Sequence, residues 1–244
     1  MRFLLVGLIV PHDPVLLPQV RGGTAADPRL PAREEGAPLC VLVSPHGSTT
    51  GVYRRARGDL AGFGVTGAGV ERRTDRAFGK ELARAWRQPL LDTDLDHGAV
   101  VPLLVAVPGG LSVVGASLAE TTGPEAAPVA DAIAAARTFA AAIEELGRDR
   151  DLIVAASAHT SAALTPAAPL TERPAGRELE ERVTTALDQD LGLLAEIEEQ
   201  LWADSGACGA GPLTAFGLLF AGRTATTTFR EAPFGVGYLL AQTA

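Results

Sequence analysis

Three runs of apolar residues, Phe3–Val10, Leu39–Val43 and Asp151–Ala156, constrain this chain more than any other feature. Each is short, and none alternates polar with apolar residues, the pattern of a strand buried on both faces. A sheet built from such strands must be covered on both sides, and the intervening segments can cover it. Arg76–Arg87, the alanine-rich Pro128–Leu146, and Arg177–Trp202 read as helices, the last either long or broken near Asp188. Pro212 suits the first turn of a helix over Pro212–Phe220. Val100–Val107 and Leu111–Leu118, parted by the turn Pro108-Gly109-Gly110, read as strands, as do Thr224–Phe229 and Phe234–Ala241. Arg21–Pro38, rich in Gly, Pro and charge, reads as an exposed loop. This alternation predicts an α/β fold: a central, mainly parallel or mixed sheet flanked by helices. With no internal repeat and no composition break, the 244 residues suit one domain over 1–244.

Charge and hydropathy exclude several classes of function. A net charge of -8 without a long basic run disfavours nucleic acid and anionic lipid as partners. No apolar stretch free of glycine, proline or charge is long enough to span a bilayer. The first run leads straight into Pro11-His12-Asp13-Pro14 without a small-x-small cleavage site, so it reads as a buried strand, not a signal peptide. The two cysteines, Cys40 and Cys208, suggest no disulfide scaffold, and a reducing, cytoplasmic setting is expected. A small-molecule substrate is the expected partner.

The four histidines carry the chemistry. His12 follows the first apolar run, His46 the second, and His159 follows Asp151–Ala156, while His97 precedes Val100–Val107 in Asp96-His97-Gly98. Ligands of open α/β sheets bind beyond the carboxyl ends of strands. Histidines serving only as structural hydrogen-bonders have no reason to gather there, so the four are expected to share a pocket. Imidazole is a common ligand of Zn, Fe and Cu, and two imidazoles with one anionic ligand leave positions open for substrate.

The anionic ligand has three candidates. Cys208 stands in Gly206-Ala207-Cys208-Gly209, just before the helix that Pro212 opens, where a helix N-terminus favours thiolate. Asp204 is close in sequence, and Glu231 precedes the last strand, so either carboxylate could serve instead. Cys40, inside an apolar run, reads as core, and Asp96 as a turn residue or a group orienting His97. Arg54, Arg55 and Arg57 follow the His46 segment and read first as a solvated face, with contact to an acidic substrate as the rival reading.

These pieces resemble the superfamily that unites class III extradiol ring-cleavage dioxygenases with Memo-like proteins. The matching segments are Pro11-His12-Asp13-Pro14, Val43-Ser44-Pro45-His46-Gly47, Asp96-His97-Gly98-Ala99-Val100-Val101-Pro102-Leu103, Ser157-Ala158-His159 and Cys208-Gly209 leading into Pro212-Leu213. Gly58-Asp59-Leu60 with Phe63-Gly64 matches as well. Each is short; their order along most of the chain is the specific feature.

The resemblance implies that His12 and His46 are metal ligands, that His159 performs acid–base work, and that His97 lies near substrate. It implies Fe(II) if the chain is a dioxygenase. The Cys-Gly of the Memo-like branch matches Cys208 and would shift preference toward Cu or Zn. The activity implied is that of an extradiol-dioxygenase-like oxidoreductase acting on a small aromatic or oxygen-rich substrate. The alternative is a Memo-like metal-binding protein with a redox or interaction role and no ring cleavage. A zinc hydrolase ranks third, since no separate Glu general base is evident. Dioxygenases of this class often work with a second chain, which suggests a homo-oligomer or a partner subunit.

Overall fold

The structure, a computed structural model, describes residues 5–14, 38–123 and 126–244. Phe3 and Leu4 of the first run, and the Arg21–Pro38 loop up to residue 37, lie outside the described residues. The three apolar runs form β1 (Leu5–Val10), β2 (Leu39–Gly47) and β8 (Leu152–Ser157), and Leu111–Leu118 becomes β7 (Val113–Ala119). Between β2 and β7 lie short strands that carry too few apolar residues to read from sequence: β3 (Gly51–Tyr53), β4 (Ala56–Asp59), β5 (Gly69–Arg72) and β6 (Leu90–Leu91). β9 (Ala225–Glu231) and β10 (Tyr238–Thr243) end the chain.

Eight strands form one mixed sheet in the order β6-β3-β7-β2-β8-β1-β10-β9. β7, β2, β8 and β1 are mutually parallel, with antiparallel pairings at β3–β7, β1–β10 and β10–β9. β4 and β5 pair as a separate hairpin.

Side chains of the parallel strands alternate between two cores, as the two-residue period of a strand requires. Val41, Val43, Val154, Ala156 and Ile9 face one core, while Cys40, Leu42, Ile153, Ala155 and Leu8 face the other. The first core is covered by α1 (Arg76–Trp86), α3 (Val129–Leu146), α4 (Pro174–Gln189) and α6 (Ala210–Leu219). The second is covered by α2 (His97–Val105) and the β4–β5 hairpin. Cys40 is fully buried there, as expected of a core thiol. The Arg177–Trp202 segment is interrupted at Asp190, whose carboxylate accepts from the Gly192 and Gly222 amides. After that break come a short 3-10 turn and α5 (Glu199–Ser205).

One expected strand is a helix. Val100–Val107 falls largely in α2, where residues 98–103 are all buried, so the segment is apolar on every side and shows no helical stripe. Asp96 decides the matter by capping the helix and accepting from the Ala99 amide at 3.2 Å. Pro102 lies inside α2 and lacks the N–H that would reach the Gly98 carbonyl in a regular helix. That carbonyl accepts instead from Ser157 Oγ of β8 at 2.5 Å.

Candidate metal centre

β1, β8 and β2 are parallel neighbours in that order, so their carboxyl ends lie along one rim of the sheet. His12 follows β1 by two residues, and His159 follows β8 by two. His46 lies inside β2, whose pairing with β7 becomes irregular between Ser44 and Gly47. β1 and β2 are not neighbours, because β8 enters between them. The two strands are therefore about 10 Å apart, two inter-strand spacings. The rings nonetheless meet over the end of β8, with His12 Nε2 at 2.8 Å from His46 Nε2.

Cys208, immediately before the N-terminal turn of α6, completes the group. Its Sγ lies 3.5 Å from His12 Nε2 and 3.0 Å from His159 Nδ1. The candidate ligand atoms of His12, His46, His159 and Cys208 all lie within 4.8 Å of one another. His97, the first residue of α2, packs beside the group with its ring 4.2 Å from that of His46. All four histidines thus share one pocket, as their placement in the sequence implies. Neither carboxylate alternative belongs to it. Asp204 is exposed and accepts from the Gln200 amide, and Glu231 is exposed at the end of β9.

Hydrogen bonding fixes which imidazole atoms face inward. The single proton of the Ser157 hydroxyl goes to Gly98 O, so at its 3.1 Å contact with His12 Nδ1 the hydroxyl accepts. His12 then carries its proton on Nδ1 and presents a lone pair at Nε2. His46 Nδ1 lies 3.2 Å from Glu120 Oε1, and an ionised Glu120 likewise draws the proton to Nδ1. With Glu120 ionised, two lone pairs face each other across 2.8 Å, a repulsive arrangement that a shared cation would relieve. Each imidazole is braced through its second nitrogen, as metal-ligating histidines commonly are.

The protonation states agree. Burial holds His12 neutral well below its ordinary range, reinforced by the neighbouring imidazoles. Burial, then His97 and His159, push His46 down to about 2. His159 and His97 are lowered by burial too, partly offset for His159 by its bond to Gly206 O and for His97 by Asp96 and Asp13. Cys208 departs from expectation. Burial drives its thiol well above the ordinary range, and the backbone hydrogen bonds that favour thiolate are too weak to reverse this. Without a cation the site therefore keeps a neutral thiol; a bound ion would favour thiolate. Imidazoles with one buried sulfur fit a divalent ion such as Zn, Cu or Fe, and the group could hold one.

Two supporting residues were missed in the sequence. Ser157 and Glu120 set the tautomers, and Glu120 sits just past the end of β7, by the same strand-end rule that marks the histidines. Asp96 accepts from Ser44 Oγ at 2.5 Å and from Tyr53 OH at 2.6 Å, which pins the N-terminus of α2 and hence His97. Phe63, more than half exposed, lies 4.7 Å from the His97 ring and forms an apolar edge at the mouth of the group. Of the arginine cluster, Arg54, Arg55 and Arg57 are all exposed, and Arg57 pairs with Asp94 at 3.0 Å.

No protein-family model and no curated protein matches the chain. Among solved structures, the crystal structure of an uncharacterized protein, JW3007, from Escherichia coli K12 aligns with a TM-score of 0.59. The alignment covers 98% of this chain and 99% of that one at 17% identity. At that identity the likeness concerns the fold alone. It extends nearly end to end, so the whole α/β architecture is shared with a natural protein. Among the described residues, no helix is long and apolar enough to cross a membrane.

Proposed function

We propose that the chain is a metal-dependent, extradiol-dioxygenase-like oxidoreductase acting on a small aromatic or oxygen-rich substrate. The observation that carries this reading is the convergence of two tautomer-fixed Nε2 lone pairs, from His12 and His46, beside a second pair of buried groups. His12, His46 and Cys208 would hold the ion. Bound there, a divalent metal supplies Lewis acidity toward adjacent substrate oxygens and, if redox-active, electron transfer to dioxygen.

The protein's own groups take the remaining roles. His159 is neutral near physiological pH because burial disfavours its charged form. It can therefore accept a proton from a substrate hydroxyl and later return it, as general acid–base catalysis requires. His97, held by α2 and its Asp96 cap beside His46, would hydrogen-bond substrate oxygen. The exposed ring of Phe63 beside His97 gives a planar substrate an apolar surface to lie against.

A second reading rests on the contact between Cys208 Sγ and His159 Nδ1. If His159 joins the other three as a fourth ligand, the site closes, and a Memo-like metal-binding protein with a redox or interaction role follows. Anaerobic purification, metal analysis and oxygen-uptake assays with catechols separate the two. Stoichiometric iron with catechol-dependent oxygen consumption supports the dioxygenase-like reading. Stoichiometric zinc or copper without oxygen uptake supports the second, and a chain that retains no divalent metal overturns both.

A further inference from the structure

On the far side of β3 from the β7 pairing, a cavity of about 360 Å³ is lined by Arg54, Arg55, Arg76 and Lys80. Asp92 is its one acidic residue, and Tyr53, Thr74, Gly79 and Leu90 supply the rest of the wall. Lys80 is the only lysine of a chain whose net charge is -8. Four cationic side chains meeting in one concavity run against that overall charge.

Their placement sets like charges side by side. Arg54 and Arg55 are consecutive in the turn between β3 and β4. Arg76 and Lys80 are four residues apart on α1, so they share one helix face as like charges, an arrangement that destabilises a helix. Arg76 is also the first residue of α1, where the helix dipole disfavours a cation, and the first turn has no acidic residue. Among the described residues, none of the four side chains is in an ion pair or hydrogen bond. By contrast, Arg57, Arg150, Arg177, Arg182 and Arg230 all pair with carboxylates.

We infer that this cavity binds the phosphate group of a small organic phosphate. Arginine forks match the tetrahedral oxygens of phosphate, and lysine adds a point charge. The volume lies in the range of small-molecule sites and exceeds what a bare oxoanion fills. The Leu90 wall would meet the carbon portion of the ligand.

Isothermal titration calorimetry of the full chain, in a low-salt buffer free of phosphate, tests this with glycerol 3-phosphate, inorganic phosphate and citrate. Saturable binding of glycerol 3-phosphate is expected, tighter than that of inorganic phosphate or citrate and weakened by added salt. Arg54→Gln and Arg76→Gln should each weaken it about tenfold or more, the scale of one lost charge-assisted hydrogen bond. Arg57→Gln, outside the cavity, and His46→Ala, at the metal centre, should leave it unchanged. Absence of saturable binding overturns the inference, as does equal weakening by Arg57→Gln, which would mean diffuse charge attraction. Loss of binding in His46→Ala would assign the anion to the metal centre instead. Citrate or inorganic phosphate binding as tightly as the ester would overturn the ligand class.

Discussion

Replacing Ser157 by alanine tests the tautomer reading at its most exposed point. The hydroxyl is fully buried, donates to the carbonyl that Pro102 leaves free, and accepts from His12 Nδ1–H. Ser157→Ala therefore strands one acceptor and one donor in the interior. At about 1–3 kcal/mol per unsatisfied buried group, the metal-free protein should lose roughly 2–6 kcal/mol of unfolding free energy. Most of the usual range of ~5–15 kcal/mol for a domain lies above that loss. His12 would also be released to its other tautomer, and loss of such a bracing contact typically lowers metal affinity by about 10–100-fold. Urea denaturation of the apo protein reads the first effect, and competition against a chromophoric chelator reads the second. Glu120→Gln is the companion variant. Its side chain is 45% exposed, so water can replace it, and its effect on both measures should be smaller. Unchanged metal affinity in Ser157→Ala, with a stability change below ~0.5 kcal/mol, would refute the assignment of the His12 lone pair.

His12→Ala and His46→Ala should each abolish metal retention while the circular dichroism of the fold survives; metal content equal to wild type after identical purification would contradict this. Cys208→Ala should remove the sulfur charge-transfer absorption of a Co- or Cu-loaded sample and weaken binding, whereas retention of the band would exclude the thiolate. His159→Ala should keep the metal and lose at least ~100-fold in turnover if it is the acid–base group. Loss of metal would instead make it a ligand. The metal-free protein should also lose stability in acid. His12, His46 and His159 resist protonation when folded, while the unfolded chain takes up protons below a pKa of about 6.5. Their contribution is fully present above that value. It then falls as pH drops, by up to about 1.4 kcal/mol per pH unit for each imidazole. A urea midpoint that does not change from about pH 7.5 to about pH 5 would contradict this.

The rim of the sheet was legible because the strands that carry it are uniformly apolar and stop abruptly. Val10, Val43 and Ala156 are followed within three residues by His12, His46 and His159, and parallel strands bring such endings to one side. What the sequence could not reveal was the order of strands. Leu39–Val43 and Phe3–Val10 carry no mark of the third run that separates them, since fully buried strands have interchangeable faces. α2 was misread for a related reason, because a segment buried all round loses the periodicity that distinguishes helix from strand. Cys208 was placed correctly at the cluster, but the expected effect of the helix end on its thiol was outweighed by complete burial. Ser157 and Glu120 are ordinary residues whose roles exist only once the rings they brace are in position.

The insertion of β8 between β1 and β2 also sets a timetable. Residues 5–10 cannot join their parallel neighbour until the chain has been synthesised past residue 157, and Cys208 arrives some fifty residues later. The donor group is thus closed by contacts as distant as the 196 residues between His12 and Cys208, which form late because loop closure must come first. Metal capture should accordingly coincide with a late kinetic phase of refolding. A nascent or partly folded chain would offer only scattered imidazoles, and the finished protein would meet its ion with the whole group assembled.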